Sequence, residues 1–438
     1  MFLDAHGVGG AKDLPIPAEY AIAGACAALA ISFTVLALAW RTPRFNVGAR
    51  PTPAPRFVAR IVDSAWFVAL LRTLGFAFFL YVASAAIFGK DLQINPLFGV
   101  FYVLLWVGIV PLSLLFGPFY KAISPVRTLN ALLAKLSGTE PGRGLRDYPA
   151  RLGYWPAALG LFAFVWFELV YPFNSELWPL RLWCAIYIAI MLIGGAVFGN
   201  RFYEHADPFE VYSSLVARLS VWDRYDGELV VRSPLANLDL TPVKPGLVAV
   251  TAVLLGSTAF DSFKESSAWL NLSQGGSANA NWVNFFGLTG LIVIVGVSFS
   301  AAAMATVVKK GFRRRDLPGA FAYSLMPIVV GYIIAHYLTY LVEFGQQTVI
   351  FLSDPYSTGA NLLGTGDRAI NYWLTYHPTF LAVIKVLGVV LGHVVAVIAA
   401  HDRAMKLLPK RHQLTGQLAM LMVMVAFTIG GLLLLFGA

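Results

Sequence analysis

The sequence is poor in charge: Asp, Glu, Lys and Arg make up only 13% of its 438 residues, whereas 58% are hydrophobic. Soluble globular domains carry about 25% charged residues, so the composition excludes an ordinary water-soluble fold. Cysteine is nearly absent as well. Cys26 and Cys184 both lie in apolar segments, which excludes a disulfide framework and a cysteine-based zinc site. The chain is therefore expected to lie in a membrane.

The sequence motifs of several common enzyme classes are also absent. The chain contains no P-loop, no GxSxG, no HExxH and no CxxCH pattern. The usual nucleotide site, esterase elbow, zinc-protease site or c-type haem attachment is therefore not expected. The residues before the first apolar run are polar and nearly uncharged. Because a signal peptide begins with a basic region, a cleaved signal peptide is not expected either.

Long apolar segments are abundant. A helix of about 20 mostly apolar residues crosses a bilayer, and ten segments qualify. They lie at 18–40, 64–88, 97–117, 154–173, 179–199, 246–262, 284–306, 319–344, 379–400 and 413–436. The predicted fold class is all-α, a polytopic membrane helix bundle with about ten transmembrane helices.

The order of these segments divides the chain into five predicted parts. They are an N-terminal two-span part (1–96), a first repeat unit (97–178), a second repeat unit (179–283), a third span pair (284–378) and a C-terminal span pair (379–438). The two repeat units are proposed because each contains the same succession of a span, a short amphipathic segment and a second span. The third pair has the same direction and carries the chain's most polar span.

The two amphipathic segments resemble each other residue by residue. "FGPFYKAISPVRTLNALLAKLS" (116–137) and "FGNRFYEHADPFEVYSSLVARLS" (198–220) share FG, FY and a capping residue before proline, Ser124 or Asp207. A capping residue followed by proline typically begins a helix. Apolar residues then recur on one face, so two helices are predicted to lie on the cytoplasmic interface. Both copies run in the same direction, which indicates a parallel internal repeat.

Basic residues are concentrated on one side of the predicted spans. Five loops hold 25 of the 32 lysines and arginines: 41–60, 118–153, 200–244, 307–318 and 401–412. The positive-inside rule places such loops in the cytoplasm. Both termini are then extracytoplasmic. The basic charge thus reflects topology, so a lipid bilayer and not nucleic acid is the expected partner.

One predicted span carries a polar stripe. In "AHYLTYLVEFGQQ" (335–347), the side chains of His336, Tyr340, Glu343 and Gln347 share one helix face if the helix is regular. Exposing ionisable groups to lipid is costly, and polar residues inside spans commonly mark functional sites. The stripe is therefore expected to face the interior of the bundle.

Other ionisable residues are predicted at a similar depth. Glu168 and Asp261 stand near the outer ends of their spans, and Lys385 and His393 lie on the span that follows the stripe. Because a buried ionisable group needs a partner, we expect the stripe to approach His393 or one of the two carboxylates. The predicted site lies in the outer half of the bundle.

Six stretches distributed along the chain form a recognisable set: "VLLWVGIVPLSLLFGP", "SPVRTL", "FVWFELVYP", "LLGSTAFDSF", "AHYLTYLVEFGQQ" and "VLGHVVAVIAAHDRA". Together they resemble a bacterial polytopic membrane protein family commonly labelled fenitrothion hydrolase, and the resemblance implies location in a bacterial inner membrane. The similarity covers nearly the whole chain after residue 60, and its last two stretches are the most specific. The family pattern there matches five positions of this sequence: His336, Gly392, His393, His401 and Asp402.

The resemblance implies hydrolysis of a small lipophilic organophosphotriester. A divalent metal would assist this reaction by polarising the P=O bond and acidifying a bound water. The candidate metal ligands are nitrogen and oxygen donors of the predicted site: His336, His393, Glu343, Glu168 and Asp261. The candidate catalytic side chains, which include groups that would steady the leaving group, are Glu343, Tyr340 and Lys385.

Two further functions remain open on the same residues. Carboxylates, histidine and lysine inside a membrane are typical of a transporter or channel for protons or cations. Alternatively, His336 and His393 could bind haem b or copper in a redox protein. Their predicted depths differ by about 9 Å at 1.5 Å per residue, which disfavours a single haem shared by both.

The predicted topology can be tested at the loop 307–318. We expect a single cysteine introduced there as Lys310→Cys, in a variant without Cys26 and Cys184, to react with a membrane-impermeant maleimide in inverted vesicles only, because the positive-inside rule places this loop in the cytoplasm. Labelling of the same cysteine in intact spheroplasts would contradict the topology.

Overall fold

The computed structural model describes residues 10–45, 51–140, 142–275 and 279–436. Most of the described chain is helical and only three short strands occur in it, so the predicted all-α class is confirmed. The α-helices, in chain order, are α1 (Ala18–Ala39), α2 (Arg56–Val62), α3 (Ala65–Phe88), α4 (Pro96–Phe98), α5 (Ile109–Phe116), α6 (Phe119–Ile123), α7 (Pro125–Leu136), α8 (Trp155–Leu169), α9 (Leu177–Phe198), α10 (Asn200–Ala206), α11 (Pro208–Val216), α12 (Pro234–Asp239), α13 (Leu247–Lys264), α14 (Ser267–Gln274), α15 (Ala280–Met304), α16 (Leu317–Phe321), α17 (Met326–Thr339), α18 (Gly345–Phe351), α19 (Trp373–Tyr376), α20 (Pro378–Leu407) and α21 (Leu418–Phe436).

Shorter helical segments of other types connect several of these helices. Two are π-helical, Gly99–Val107 and Tyr340–Phe344. The 3-10 turns are Ala11–Asp13, Ala217–Leu219, Arg314–Asp316, Ala322–Leu325, Lys410–His412 and Thr415–Gln417. The π-helical segments matter below because each turn of a π-helix holds more residues than a turn of an α-helix, which changes the face that later residues occupy.

The structure contains fewer membrane-length helices than the ten predicted spans. Within the described residues, eight helical stretches are long and apolar enough to cross a membrane, and the bent pair Pro96–Val107 and Ile109–Phe116 is a ninth candidate. The predicted span 154–173 corresponds to α8, whose 15 residues extend about 22 Å, less than the roughly 30 Å hydrocarbon core. The chain is therefore a multi-pass membrane protein. The predicted placement of the two termini concerns residues 1–9 and 437–438, which lie outside the described residues.

Contacts between Cα atoms divide the chain into two compact units, both discontinuous in sequence. The first unit comprises Met1–Ala49, Leu235–Thr339 and Tyr372–Ala438. The second unit comprises Arg50–Pro234 and Tyr340–Asn371. This division does not follow the five consecutive parts that the order of spans predicts.

In the first unit, helices α17 and α20 approach each other through glycine. A Cβ atom added to Gly331 would lie 2.3 Å from the carbonyl oxygen of Gly388, and one added to Gly392 would lie 2.6 Å from the carbonyl oxygen of Pro327. Small residues at such positions allow two helix backbones to touch, so any larger residue would push the helices apart. Helix α13 is buried over most of its length and packs on α15 and α17.

The core of the second unit is aromatic. The ring of Phe164 lies 4.8 Å from Phe101, 4.9 Å from Trp106 and 5.5 Å from Phe209, measured between ring centroids. Such offset and edge-on arrangements are the favourable ones for aromatic rings. These residues come from the bent pair, α8 and α11, so their packing joins the three elements.

The two amphipathic segments begin as helices where predicted. The Oγ of Ser124 accepts a hydrogen bond from the backbone N–H of Arg127 at the start of α7, and Oδ1 of Asp207 accepts one from the N–H of Phe209 at the start of α11. In both copies a proline occupies the first helical position. The capping prediction is therefore confirmed, whereas the duplication that it suggested stays a prediction.

The prediction that both helices lie on the membrane interface is wrong for α11. Eight of its nine residues are buried, whereas Leu133 and Leu136 of α7 are 47% and 84% exposed. The buried residues include Glu210 and Ser213 on the polar side of α11, so both sides of the helix are covered by protein. Its one acidic side chain, Glu210, is paired inside the unit with Arg127, at 2.5 Å between Oε2 and Nε.

One small sheet in the second unit was not predicted. Strands β1 (Thr52–Pro53), β2 (Trp222–Tyr225) and β3 (Glu228–Val231) form an antiparallel sheet in the order β1-β3-β2. Asp226 and Gly227 join β2 to β3, with φ of 48° and 85°. An Asp-Gly pair with two positive φ angles is the common hairpin turn, so the sequence did contain the signal.

The glycine contact between α17 and α20 predicts a measurable stability difference. Gly331→Ala should lower the stability by about 1–3 kcal/mol, because the new methyl group would overlap the carbonyl oxygen of Gly388. Thermal unfolding of the detergent-solubilised protein would measure this loss. Gly290→Ala in α15 is the matched control, since a Cβ there meets nothing within 4 Å, and it should leave the melting temperature unchanged or raise it. Equal melting temperatures for the two variants would contradict the packing described.

Candidate functional site

Three polar side chains meet at one end of the first unit. Asp261 and Ser262 lie on the last turn of α13, and His336 lies on the last turn of α17. The Oγ of Ser262 is 3.1 Å from Nδ1 of His336, and Nε2 of the same ring is 3.0 Å from Oδ2 of Asp261. All three side chains are buried. A single imidazole therefore bridges a hydroxyl group and a carboxylate.

The partners of Asp261 fix the direction of these hydrogen bonds. Its Oδ2 accepts a hydrogen bond from the hydroxyl group of Tyr337 at 2.7 Å, and its Oδ1 lies 3.3 Å from Nζ of Lys264. An ionised carboxylate can only accept, so Nε2 of His336 must carry the proton that it shares with Asp261. When the ring is neutral, the hydroxyl group of Ser262 donates to the lone pair of Nδ1.

A second tyrosine binds the serine from the other side. The hydroxyl group of Tyr332 donates to Oγ of Ser262 at 3.0 Å. The carbonyl oxygen of Thr258, one turn earlier in α13, lies 3.3 Å from the same Oγ. The Ser262 hydroxyl group can therefore donate along its own helix or to His336, while it accepts from Tyr332 in either case. This makes Tyr332 a fixed donor at the oxygen atom of the serine.

The local sequence explains why these groups converge. Tyr332 and His336 are four residues apart on α17, so they lie on one face of the helix, and their rings are nearly parallel at 17°. Asp261 and Ser262 are consecutive on α13, so one helix presents both an acceptor for His336 and a donor to it. The close backbone contact between α17 and α20 restricts the position of α17, and with it the imidazole.

A cavity of about 350 Å³ borders this group. Its lining includes both Ser262 and His336. The remaining lining residues come from Gly10 and the 3-10 turn Ala11–Asp13, from the C-terminal ends of α13 and α21, and from α20. The full set is Gly10, Ala11, Lys12, Asp13, Ser262, Glu265, His336, Lys385, Leu434, Leu435 and Phe436. All of these belong to the first unit. The serine and the imidazole thus face a space that is large enough for a small ligand.

The arrangement matches the geometric requirements of nucleophilic catalysis. A nucleophile within hydrogen-bond reach of a base, and a base oriented by a third group, is the recurring pattern of Ser-His-Asp hydrolases on unrelated folds. In the familiar triad the serine bonds Nε2 and the aspartate bonds Nδ1. Here the two ring nitrogens of His336 have exchanged partners. Each nitrogen keeps its role, because one lone pair faces the hydroxyl group and one N–H faces the carboxylate.

Two other predicted residues belong to the first unit. Lys385 on α20 is 3% exposed and lines the same cavity. His393, two turns further along α20, is buried, and its Nδ1 lies 2.8 Å from the carbonyl oxygen of Val389 on its own helix. The ring of His393 therefore carries its proton on Nδ1, and it has no role in the hydrogen bonds around Ser262.

The predicted polar stripe is divided by the structure. His336 ends up in the first unit, whereas Tyr340, Glu343 and Gln347 belong to the second. The stripe assumed a regular helix with 100° per residue, but Tyr340–Phe344 is π-helical, so residues beyond Thr339 do not continue the same face. Tyr340 and Glu343 are buried, as predicted, and Gln347 is half-buried.

Glu168, the remaining candidate, lies near the end of α8 in the second unit. Its backbone carbonyl oxygen accepts a hydrogen bond from Nδ2 of Asn174. The backbone carbonyl oxygen of Asn174 in turn accepts one from the hydroxyl group of Tyr102, at 2.8 Å. These two hydrogen bonds fix the loop after α8 to the bent pair through Tyr102. The backbone of Glu168 therefore takes part in holding this loop in place.

The five predicted metal ligands are not gathered into a metal centre. Among the described residues, no group of three or more His, Cys, Asp or Glu side chains is arranged to hold a metal ion. The donor chemistry agrees, because both ring nitrogens of His336 are already engaged, one with Ser262 and one with Asp261. An imidazole binds a metal through a free lone pair. The residues present therefore do not fit a metal or a haem iron at His336.

The sequence pattern did not single out Ser262, Tyr332, Tyr337 or Lys264. Serine and threonine inside a span commonly bond the carbonyl group four residues earlier, so Ser262 carries no signal by itself. A usable signal was its position beside Asp261 in "FDSF", combined with the Tyr-x-x-x-His spacing of the later span. Together these place a hydroxyl group, a carboxylate and an imidazole near the ends of two spans.

Comparisons of the chain with protein-family models, with curated proteins and with solved structures find no match.

Proposed function

We propose that this protein is a membrane-embedded hydrolase that uses Ser262 as its nucleophile and cleaves a small ester. The proposal is carried by one observation, the hydrogen-bonded series Ser262–His336–Asp261 at the wall of a cavity. In this assignment Ser262 and His336 are the catalytic residues, and Asp261 is a positioning residue. The site lies on the extracytoplasmic side of a bacterial inner membrane, as the basic loops indicate.

The first half of the reaction transfers the acyl or phosphoryl group to the protein. The Oγ of Ser262 attacks the carbonyl carbon or the phosphorus atom of the ester, and its proton passes to Nδ1 of His336. The ring is then an imidazolium ion, which the carboxylate of Asp261 stabilises through Nε2. The bond to the leaving alcohol breaks, and the alkoxide takes the proton from Nδ1. The products at this stage are the free alcohol and a Ser262 ester.

The second half regenerates the serine with water. A water molecule gives a proton to Nδ1 of His336 and attacks the Ser262 ester. The bond to Oγ breaks, and Oγ takes the proton back from Nδ1, so the net reaction consumes one water and yields an acid and an alcohol. Tyr332 donates to Oγ from a fixed position, which stabilises negative charge on this atom in both halves.

The resemblance to the fenitrothion hydrolase family supports the same reaction class. Serine nucleophiles attack phosphorus as well as carbonyl carbon. This site could therefore cleave an ester bond of a phosphotriester or of a carboxyl ester. The predicted divalent metal is replaced in this scheme by the imidazole, which supplies the base. Lys385 keeps its predicted role of steadying the leaving group, because its ammonium group lines the cavity in which the charge of that group develops.

The hydrogen-bonded groups around Ser262 are better suited to ester hydrolysis than to transport of protons across the membrane. The residues from Tyr332 to Tyr337 cover about 8 Å along their helix axis at 1.5 Å per residue, whereas the hydrocarbon core is about 30 Å thick. The hydrogen-bonded groups therefore run sideways between two helices near one end of the unit. A relay that carries protons across the membrane needs groups at successive depths.

The proposal predicts the effect of removing each side chain on ester hydrolysis. In purified, detergent-solubilised protein, Ser262→Ala and His336→Gln should each lower kcat by about 10³-fold or more toward p-nitrophenyl butyrate, because nucleophile and base act as a unit. Both variants should also abolish the release of one equivalent of p-nitrophenol from diethyl p-nitrophenyl phosphate. Release of p-nitrophenol measures this directly.

A serine on the same helix provides the matched control. Ser257 is also buried in α13, and among the described residues its hydroxyl group bonds the Leu254 carbonyl oxygen of its own helix, so Ser257→Ala should keep full activity. Yield and elution volume on gel filtration should be the same for all three variants. Undiminished hydrolysis by Ser262→Ala, or absence of hydrolysis of either ester by the unaltered protein, would contradict the proposal.

A further inference from the structure

The cavity beside Ser262 carries charges of both signs. Lys12 and Lys385 contribute ammonium groups, and Asp13 and Glu265 contribute carboxylates. These four side chains come from three different elements: the 3-10 turn before α1, the C-terminal end of α13, and α20. The apolar part of the lining is restricted to the last residues of α21, Leu434–Phe436, and to Ala11. The cavity is thus polar, with two positive and two negative groups.

This lining differs from that expected for a neutral lipophilic substrate. Pockets for such molecules are lined mainly by hydrophobic and aromatic side chains, with only a few polar groups. Ionisable residues within the bundle are also costly to keep, and they usually mark the path or the binding site of a charged species. A neutral aryl phosphotriester carries no charge that these four side chains could recognise.

Two of the charged groups are held in place before any ligand binds. Asp13 is fixed in its turn because its Oδ2 accepts a hydrogen bond from the backbone N–H of Gly10, at 2.9 Å. Lys385 is 3% exposed, so its ammonium group is enclosed by protein and has little contact with solvent. Charges that are preorganised and partly dehydrated bind an opposite charge more strongly than charges on an open surface.

We infer that the ligand of this cavity is a zwitterionic ester, which carries an ammonium group together with a phosphate or carboxylate. The inference rests on the proposed function for the ester bond, which would lie at Ser262. The two lysines recognise the anionic group of the ligand, and Asp13 and Glu265 recognise its ammonium group. The chemistry is that of a zwitterionic phospholipid headgroup, and equally of a free phosphorylated amino alcohol.

The size and the position of the cavity agree with such a ligand. A volume of about 350 Å³ is at the small end of ligand pockets, which suits a headgroup better than a whole lipid. Leu434–Phe436 provide an apolar margin along which an acyl chain can leave toward the bilayer. A lipid would thus place its headgroup in the cavity and its chain outside, whereas a soluble zwitterion would use the charged part alone.

Binding can be measured without turnover in the Ser262→Ala variant. We expect isothermal titration in an uncharged maltoside detergent to give a Kd for glycerophosphoethanolamine at least tenfold lower than the Kd for glycerol 3-phosphate, ethanolamine or diethyl p-nitrophenyl phosphate. Glu265→Gln and Lys385→Met should each weaken binding of the zwitterion tenfold or more. Charge-removal controls at exposed positions, Glu19→Gln and Lys90→Met, should not change it.

The same titration distinguishes the two sources of the ligand. If 1-palmitoyl-lysophosphatidylethanolamine binds much more tightly than glycerophosphoethanolamine, the ligand is a lipid. If the two bind equally, the headgroup alone suffices. Equal or tighter binding of the neutral phosphotriester, or of either singly charged analogue, would overturn the inference.

Failure of this inference is distinguishable from failure of the hydrolase proposal. Loss of selectivity for the zwitterion in the titration, with Ser262-dependent release of p-nitrophenol intact, overturns only the ligand class. Selective binding of the zwitterion without any Ser262-dependent hydrolysis supports the binding site and contradicts the chemistry. Because binding is measured in a protein that lacks the nucleophile, neither result depends on the other.

Discussion

Burial of the carboxylate of Asp261 is the constraint on which the candidate site depends. An ionised carboxylate in an apolar interior is stable only with hydrogen bonds or an opposite charge. Asp261 is 4% exposed, and it obtains these from His336, Tyr337 and Lys264. Because a carboxylate only accepts hydrogen bonds, this pairing fixes the tautomer of the imidazole and leaves its other nitrogen facing Ser262. In the proposed reaction, the direction of proton transfer from Ser262 thus follows from the need to solvate one buried charge.

The same energetic argument explains which part of the site the sequence could predict. Ionisable residues inside spans need partners at similar depth, and this reasoning predicted that the polar stripe would approach a carboxylate such as Asp261. The structure places His336 in contact with it. The partner on the other nitrogen, Ser262, was missed. A neutral hydroxyl group can bond a backbone carbonyl group of its own helix, so its presence in a span does not require a partner on another helix. Sequence patterns detect costly groups, and serine is not one of them.

The fold shows the same limits. Apolar length predicted the helical class and the positions of most long helices, since both follow from composition over many residues. The regular helical period assumed for the stripe ends at the π-helical segment Tyr340–Phe344, and no local sequence pattern predicted this segment. Helix α11 was predicted at the interface and is buried, because its burial depends on neighbours that are distant in sequence. Sequence periodicity therefore did not predict the change of helix type after His336, nor the burial of α11 by residues distant in sequence.

The central claim is that Ser262 is a nucleophile activated by His336, and covalent modification tests it most directly. A fluorophosphonate reagent reacts with serine only where the hydroxyl group is activated by a neighbouring base. The account predicts that peptide mass spectrometry of the labelled, detergent-solubilised protein will locate one phosphonyl group on the peptide that contains Ser262, and that His336→Gln will abolish this label. Labelling of a different residue, or a Ser262 adduct that forms equally well without His336, would contradict the account.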